Sequence, residues 1–300
     1  MNRALSDADI SAVLFCFNEA RYIEKAIRSL QNQSVAVDEI IVVDDYSTDG
    51  TVDIVRKMAS VDKRISCLNN AYEKGKVGAY QTGLEAVRTE FFFVMGADDE
   101  ANPDLVNISL KYFENIKTPF FFHSAELIDE NSSPLGRTFV SSFDLETCFY
   151  YNKTGGLIFA RREAIRNFIP FPEQLEFEDW YTVLTLYQHY GVIETCSVPL
   201  VRYRIHSESD SQASRWNWHR RLGLLERDLR FLRLMQQRVT NDSFKSKLQH
   251  SILFRERLIR GLPTLDKGVR ISMALLKTYF SLALSRFRTS MVDKRVRLEK

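Results

Sequence analysis

Apolar runs of five to seven residues alternate with segments of helical periodicity along the first third of the chain. The apolar runs predict buried strands over residues 11–17, 39–43, 64–68 and 90–95. The segments between them predict helices over 19–31, from an Asp49 cap to about residue 59, and over 75–87. This β-α alternation predicts a parallel sheet with right-handed crossovers.

The pattern becomes less regular in the second half of the chain. It predicts helices from Pro103 to about residue 113 and over 178–190, and strands over 119–128 and 192–205. Residues 131–136 have the composition of a turn, and residues 152–156 that of a loop before a short strand. Helical, basic sequence begins after Ser211, so we predict a first domain over residues 1–210 and a basic helical extension over 211–300.

The net charge of +2 hides a strong asymmetry between these two parts. Residues 211–300 carry 21 Lys and Arg against 7 Asp and Glu, whereas the preceding 210 residues carry 20 against 32. An acidic first part and a basic tail indicate different partners for each.

The four cysteines are far apart, without a CxxC pair, which is typical of free thiols in a reducing compartment. The chain begins without the apolar core of a signal peptide, and no uncharged apolar run reaches the roughly 20 residues of a spanning helix. We therefore expect a cytoplasmic protein, or one that is peripheral on the inner face of the cytoplasmic membrane.

Carboxylates follow the second and fourth predicted strands, as Asp44, Asp45, Asp98 and Asp99. In an open α/β sheet, ligands bind at the carboxyl ends of the strands. Carboxylates there suit a ribose, a base edge, or a divalent metal that carries a diphosphate.

Several motifs in order resemble glycosyltransferase family 2 over roughly residues 11–210. They are Phe-Cys-Phe-Asn-Glu at 15–19, Asp-Asp-Tyr-Ser-Thr-Asp-Gly-Thr at 44–51, Lys-Gly-Lys-Val-Gly at 74–78, Gly-Ala-Asp-Asp at 96–99, Glu-Asp-Trp at 178–180 and Tyr-Arg-Ile-His at 203–206. The resemblance implies the α/β GT-A nucleotide-diphospho-sugar transferase fold, with a mostly parallel central sheet flanked by helices and a C-terminal helical extension. It also implies an inverting enzyme of bacterial surface polysaccharide synthesis.

The resemblance implies which residues hold the nucleotide-sugar donor. The candidates are Phe17, Glu19, Asp44, Asp45, Gly75, Lys76, Asp98 and Arg204. Asp45 matches the residue that binds the base, and its carboxylate can accept from a uracil N3–H or from ribose hydroxyls. A turn with an Asp49 helix cap is the alternative for Asp44 and Asp45. The backbone of Gly75 and the cation of Lys76 suit a diphosphate at a helix N-terminus, although a solvated loop has the same composition.

The family's metal-binding Asp-x-Asp lacks its first carboxylate in this chain, because Gly96 stands there. Asp98 matches the usual ligand of Mg²⁺ or Mn²⁺, and Asp99 offers a second carboxylate. His206 and Arg204 are expected to meet the metal or the diphosphate from the far side. Loss of the first Asp leaves one alternative open, a catalytically degenerate protein that binds a nucleotide sugar or glycan without turnover.

Glu178 and Asp179 are the candidate catalytic residues. Asp179 matches the general base of inverting relatives, which takes the proton of the acceptor hydroxyl as its oxygen attacks C1 of the sugar. Glu178 is expected to orient the acceptor or the loop. Two acids that favour the first turn of a helix are the structural alternative.

The tail ends in a segment, residues 271–288, with a broad apolar arc and a narrow polar stripe. Basic flanks make it typical of an interfacial helix on an anionic membrane, while packing on its own domain or on a second copy of the chain stays open. It carries no motif of a nucleic-acid-binding protein.

The predicted partners are thus a nucleoside diphosphate sugar, most simply a UDP-sugar, and a glycan or lipid-linked acceptor. A nucleotidyltransferase on a similar sheet is a weaker alternative, since residues 17–21 offer no glycine-rich loop after the first strand.

Overall fold

The computed structural model describes residues 8–206 and 218–261. Within these ranges the strands are β1 Ile10–Cys16, β2 Glu39–Asp44, β3 Ile65–Asn69, β4 Phe91–Gly96, β5 Glu100–Ala101, β6 Phe120–Ile128, β7 Pro134–Phe139, β8 Ile158–Arg161 and β9 Thr195–Arg204. The helices are α1 Ile23–Gln31, α2 Thr51–Val61, α3 Lys76–Ala86, α4 Leu105–Phe113, α5 Leu145–Cys148, α6 Glu178–Tyr190, α7 Trp218–Arg238 and α8 Asp242–Gly261, with a 3₁₀ helix at Arg162–Asn167.

One sheet organises these elements, in the order β3-β2-β1-β4-β8-β6-β9-β5, and β7 pairs with β6 outside this order. The pairs from β3 to β4 are parallel, as the alternating pattern predicted. The second half is mixed, because β8 runs antiparallel to both β4 and β6, and β5 runs antiparallel to β9. The carboxyl ends of β1, β2, β3 and β4 therefore meet at one edge, where a ligand binds in open sheets.

Alternate residues of the central strands face two separate hydrophobic layers. Phe91 and Phe93 of β4 pack with α1 and α4 on one face, whereas Phe92 and Val94 pack on the other face with α3 and α6. Burial on both faces explains why these strands are continuous apolar runs rather than alternating ones. The turn predicted over 131–136 was wrong at residues 134–136, which begin β7. This strand is largely exposed and pairs only with β6, so its sequence has no apolar alternation.

Helices α7 and α8 belong to the predicted basic helical extension, and they pack directly on the domain that precedes it. Phe231 and Leu232 of α7 and Leu248 of α8 lie in the same buried cluster as α6 and the sheet. The boundary at residue 210 thus does not separate two hydrophobic cores within the described ranges. The segment 271–288, predicted to lie on a membrane, falls outside the described residues. None of the helices in residues 8–206 and 218–261 has both the length and the apolar character to span a bilayer.

Candidate active site

Asp45, at the carboxyl end of β2, is held in place by two hydrogen bonds to one of its oxygens. Asn70 Nδ2 donates to Oδ1 over 2.7 Å, and the backbone N–H of Gly75 donates to the same oxygen over 2.9 Å. The side chain is buried, at 7% exposure. No residue that the structure describes donates to Oδ2, so that oxygen remains available for a ligand.

Asp44 has a local role instead. Its carboxylate accepts from the backbone N–H of Ser47, at 3.1 Å for the shorter contact, and this bond shapes the turn after β2. The same turn contains Tyr46 with φ +65°, and the neighbouring β1 loop contains Asn18 with φ +57°. Such strained backbone in non-glycine residues clusters at functional sites. Asn18 Oδ1 accepts from Thr48 N, which joins the two loops.

Asn70 was missed by the sequence analysis, although it organises the site from the next strand. Its Nδ2 holds Asp45, and its Oδ1 accepts from Tyr72 N and Thr82 Oγ1. Its backbone carbonyl accepts from Tyr46 Oη at 3.3 Å. A polar side chain directly after β3, beside the carboxyl ends of β1 and β2, was the signal that could have found it.

Phe17 and the glycine-rich segment over residues 74–78 contact each other through Lys74. The Phe17 ring is 44% exposed, and Lys74 Nζ lies 4.0 Å from its centroid. Gly75 adopts φ +141°, a conformation that favours glycine. Its N–H donates to Asp45, and its expected contact with the diphosphate stays a prediction. Asp49 accepts from Ala20 N and from the backbone N–H of Thr51, the first residue of α2, while Gly50 occupies the capping position, one residue after the predicted Asp49 cap.

The Gly-Ala-Asp-Asp loop after β4 brings Asp98 against His206. Asp98 Oδ2 lies 3.2 Å from His206 Nε2, and Asp98 is the more exposed of the pair. Carboxylate and imidazole are both ligands that Mn²⁺ accepts, and donor diphosphate oxygens with water can complete the shell. Within residues 8–206 and 218–261 no cluster of three protein ligands occurs.

Asp99 and Arg204 are buried beneath the pair of Asp98 and His206. Asp99 Oδ1 accepts from the backbone N–H of Arg204, and burial, together with the Asp98 charge, raises the pKa of Asp99 well above its ordinary value. Arg204 is fully buried and donates to the carbonyls of Asp98 and Asp129 and to Glu100. The guanidinium of Arg204 therefore holds the loop after β4 from within, and its expected contact with the diphosphate stays a prediction.

Glu19 lies in the turn before α1 at the same edge. Its backbone N–H donates to Thr51 Oγ1, and its carbonyl accepts from Tyr22 N and Ile23 N. Its negative charge also contributes, after burial and the Asp98 charge, to the raised pKa of Asp99. The Tyr22 ring lies between Arg204 and His206, at 4.7 Å from the guanidinium carbon and 5.2 Å from the imidazole centroid.

Glu178 and Asp179 form the first turn of α6, as predicted. Asp179 Oδ2 accepts from Asn152 Nδ2 over 3.1 Å, and Oδ1 accepts from the backbone N–H of Trp180. Each carboxylate oxygen thus retains a lone pair for an incoming hydroxyl. Gly156 lies against the same side chain, since a Cβ there would come within 2.8 Å of Asp179 Cβ. The loop over residues 152–156 therefore surrounds Asp179.

Lys76, at the start of α3, contacts Glu178 at the start of α6. Its Nζ lies 2.9 Å from Oε1 of the buried Glu178, while the lysine side chain itself is half-exposed. The Glu178 charge raises the pKa of Lys76, so the ammonium stays charged. Burial raises the pKa of Glu178, and the Lys76 charge opposes that shift. Consecutive residues, Gly75 and Lys76, thus contact Asp45 and Glu178 respectively.

A sheet with a carboxylate-lined edge and an acidic helix start fits a nucleotide-sugar glycosyltransferase of the GT-A fold. The chain belongs to glycosyltransferase family 2, whose model, described as "Glycosyl transferase family 2", matches residues 11–167. Both the family and the fold predicted from the motifs are therefore confirmed.

Similar proteins include a UDP-Glc:alpha-D-GlcNAc-diphosphoundecaprenol beta-1,3-glucosyltransferase, WfgD of Escherichia coli. It is 28% identical over 216 residues, which cover 69% of this chain and 81% of that protein. Alignments with four other bacterial proteins named as glycosyltransferases cover between 30% and 67% of their lengths. For three of these four proteins, the chain therefore spans less than two thirds of the relative.

Two solved structures share the fold. One is S. aureus TarS 1-349 in complex with UDP-GlcNAc, with a TM-score of 0.62 and 18% identity over 94% of this chain and 81% of that chain. The other is the mannosyltransferase PcManGT from Pyrobaculum calidifontis in complex with GDP-Man and Mn2+, with a TM-score of 0.56 and 18% identity over 94% and 82% of the two chains.

Proposed function

We propose that this glycosyltransferase moves a sugar from a UDP-sugar to a hydroxyl of a lipid-linked glycan in bacterial surface polysaccharide synthesis, with inversion at C1. The observation that carries the proposal is the pair of contacts made by Gly75 and Lys76. They connect Asp45, the candidate base-binding residue, with Glu178 beside Asp179. A donor that spans this edge has its nucleotide at one end and its sugar at the other.

At the nucleotide end, Oδ2 of Asp45 accepts the N3–H of uracil. A buried carboxylate whose other oxygen is fixed by Asn70 and Gly75 cannot rotate away, so this acceptor is preorganised. Phe17 offers an exposed aromatic ring at the same end. The UDP-GlcNAc bound by TarS and the UDP-Glc named for WfgD support a uridine donor.

At the diphosphate, Asp98 and His206 would hold Mg²⁺ or Mn²⁺. When bound, the cation supplies charge neutralisation for the departing nucleoside diphosphate. The half-exposed ammonium of Lys76 adds a positive charge that can turn from Glu178 to the phosphate oxygens.

At the sugar, Asp179 is the general base of a direct displacement. Its carboxylate takes the proton from the acceptor hydroxyl while that oxygen forms a bond to C1 and the bond from C1 to the diphosphate breaks. The hydrogen bond from Asn152 keeps Oδ2 oriented toward the acceptor side. Glu178 does not take the proton, because it is buried and faces Lys76.

The acceptor and the location follow from charge and from the relatives. The excess of Lys and Arg after residue 210 suits a protein that works at an anionic membrane surface, on the inner face of the cytoplasmic membrane. WfgD is named for a diphosphoundecaprenol-linked acceptor, which supports a lipid-linked acceptor here.

The test is release of nucleoside diphosphate from a panel of UDP-, GDP- and dTDP-sugars with Mn²⁺, Mg²⁺ or EDTA. We compare the wild type with Asp179→Asn and with a matched control, Glu173→Gln, an exposed acid just before α6. Metal-dependent release from one UDP-sugar that is lost in Asp179→Asn alone supports the proposal, and adding membrane extract supplies the acceptor. Tight donor binding without turnover, even with extract, would favour the degenerate binding protein.

A further inference from the structure

In the segment between β7 and β8, three consecutive backbone carbonyls accept hydrogen bonds from side chains of α6 and α8. Trp180 Nε1 donates to Cys148 O over 2.7 Å, Ser251 Oγ to Phe149 O over 2.6 Å, and Arg255 Nη2 to Tyr150 O over 2.6 Å. The first donor follows Asp179 directly. The other two lie on α8, about a hundred residues further along the chain.

Arg255 is the centre of this contact. It is fully buried, and its guanidinium also donates to Ser251 Oγ and to Asp228 Oδ2 on α7. Its Cζ lies 5.8 Å from the Tyr150 ring centroid and 5.9 Å from that of Trp180. A charge buried this completely is costly unless it is fully hydrogen-bonded, so the geometry around it is fixed.

The held segment leads directly into the loop that contacts the candidate base. Two residues after Tyr150, Asn152 donates to Asp179 Oδ2, and Asn152 Oδ1 in turn accepts from Thr154 N and Oγ1. A shift of the carbonyls of Phe149 and Tyr150 therefore moves the side chain that orients Asp179.

Helix α7 contacts the residues on either side of Glu178 and Asp179 in the sequence. Arg227 and Arg230 both pair with Glu176, two residues before Glu178, and Phe231 packs on Trp180 with ring centroids 4.8 Å apart. The hairpin of α7 and α8 thus contacts both the start of α6 and the loop that faces it.

We propose that Ser251 and Arg255 are positioning residues, which set the orientation of the Asp179 carboxylate through residues 149–152. The catalytic part of this inference rests on the proposed function, in which Asp179 is the base. The helical hairpin is accordingly part of the acceptor side of the active site, in addition to any role of the basic tail that follows it.

Two variants test the proposal, each with a matched control on the same hairpin. Ser251→Ala removes the donor to Phe149 O and one acceptor of Arg255 with little change of volume. Arg255→Lys keeps the charge next to Asp228 but loses the planar fork. The controls are Ser246→Ala, at an exposed position of α8, and Arg233→Lys, which pairs with Glu256 on the exposed side of the hairpin.

The first readout is amide hydrogen exchange, which requires no substrate. We expect faster exchange across residues 149–156 in Ser251→Ala and Arg255→Lys, and wild-type exchange in both controls. Should Arg255→Lys fail to fold, Ser251→Ala alone decides. Wild-type exchange in Ser251→Ala would overturn the proposal.

The second readout is turnover of the donor identified above, measured with donor affinity. Misplacing a catalytic group by about 1 Å can cost about 100-fold, so we expect kcat to fall about 10- to 100-fold with donor affinity unchanged. Introduced into Asp179→Asn, Ser251→Ala should cause no further loss, because the residual reaction no longer uses the base. A merely structural role predicts the same loss in both backgrounds, and that result would overturn the proposal.

The two failures are distinguishable. If Asp179→Asn keeps full activity, the proposed base is wrong whatever Ser251→Ala does. If Asp179→Asn is inactive while Ser251→Ala turns over like the wild type, the function stands and the positioning role is wrong.

Discussion

Replacing Asp45 by Asn changes one atom at the candidate base-binding position and makes a sharp test of donor recognition. Oδ1 of Asp45 accepts from both Asn70 Nδ2 and Gly75 N. An asparagine can satisfy those two donors only with its carbonyl oxygen, so its amide nitrogen must take the place of Oδ2. The group that faces the base then changes from an acceptor into a donor.

The magnitude follows from the hydrogen bond that is lost. A hydrogen bond to a charged group contributes about 2 kcal/mol, so UDP should bind about 30-fold more weakly to Asp45→Asn. Cytosine has an acceptor at N3 where uracil has a donor, and a new neutral hydrogen bond of about 1 kcal/mol should strengthen CDP binding about 5-fold. Because both bonds to Oδ1 survive, the free energy of unfolding should change by less than about 1 kcal/mol.

The assay is titration calorimetry with UDP and CDP in the presence of Mn²⁺, alongside denaturant unfolding. The matched control is Asp53→Asn on the exposed side of α2, which should bind both nucleotides like the wild type. Equal loss of UDP and CDP affinity, or no loss of UDP affinity, would refute the assignment of Asp45 to the base.

Three further predictions concern other positions. Gly156→Ala would add a Cβ 2.8 Å from Asp179 Cβ at a residue with φ +70°. We therefore expect kcat to fall at least about 10-fold while UDP affinity stays intact. An unchanged rate of steady-state nucleoside diphosphate release would contradict the contact between Gly156 and the candidate base. Gly96→Ala would place a Cβ 2.6 Å from Asp98 Oδ1 and so displace that carboxylate. The Mn²⁺ concentration for half-maximal activity should then rise roughly 10-fold. An unchanged concentration would argue against Asp98 as a metal ligand. Burial lowers the pKa of His123 from 6.5 to about 4. The unfolded chain therefore takes up that proton first as the pH falls, and the wild type should lose about 2 kcal/mol of unfolding free energy between pH 7 and pH 5. His123→Phe should lack that part of the loss in denaturant titrations at the two pH values, and an equal loss would show that His123 is not its source.

Local patterns in the sequence were sufficient for much of the fold. The predicted helix over 178–190 matches α6 in full, and the strand predicted over 39–43 is one residue shorter than β2. Burial on both faces and helical periodicity are properties of neighbouring residues, so they are visible in the sequence. Strand β7 could not be recognised from the sequence, because it pairs with β6 and leaves most of its side chains exposed.

The site divides in the same way. Motif order placed Asp45, Asp98, Glu178 and Asp179 at the correct strand and helix ends, since these positions depend on the elements themselves. The motifs did not reveal that Gly75 and Arg204 form hydrogen bonds with other protein groups, Asp45 and the carbonyl of Asp98. Partners of that kind are brought together only by the fold.

The sequence by itself therefore determined the family, the parallel half of the sheet and the acidic residues at its edge. Only the tertiary structure decided which of their atoms remain available to a ligand. It also brought Ser251 and Arg255 to the loop beside Asp179, across about a hundred residues of chain. Hydrogen bonds between segments so distant in sequence depend on the docking of whole helices, and no local pattern encodes that docking.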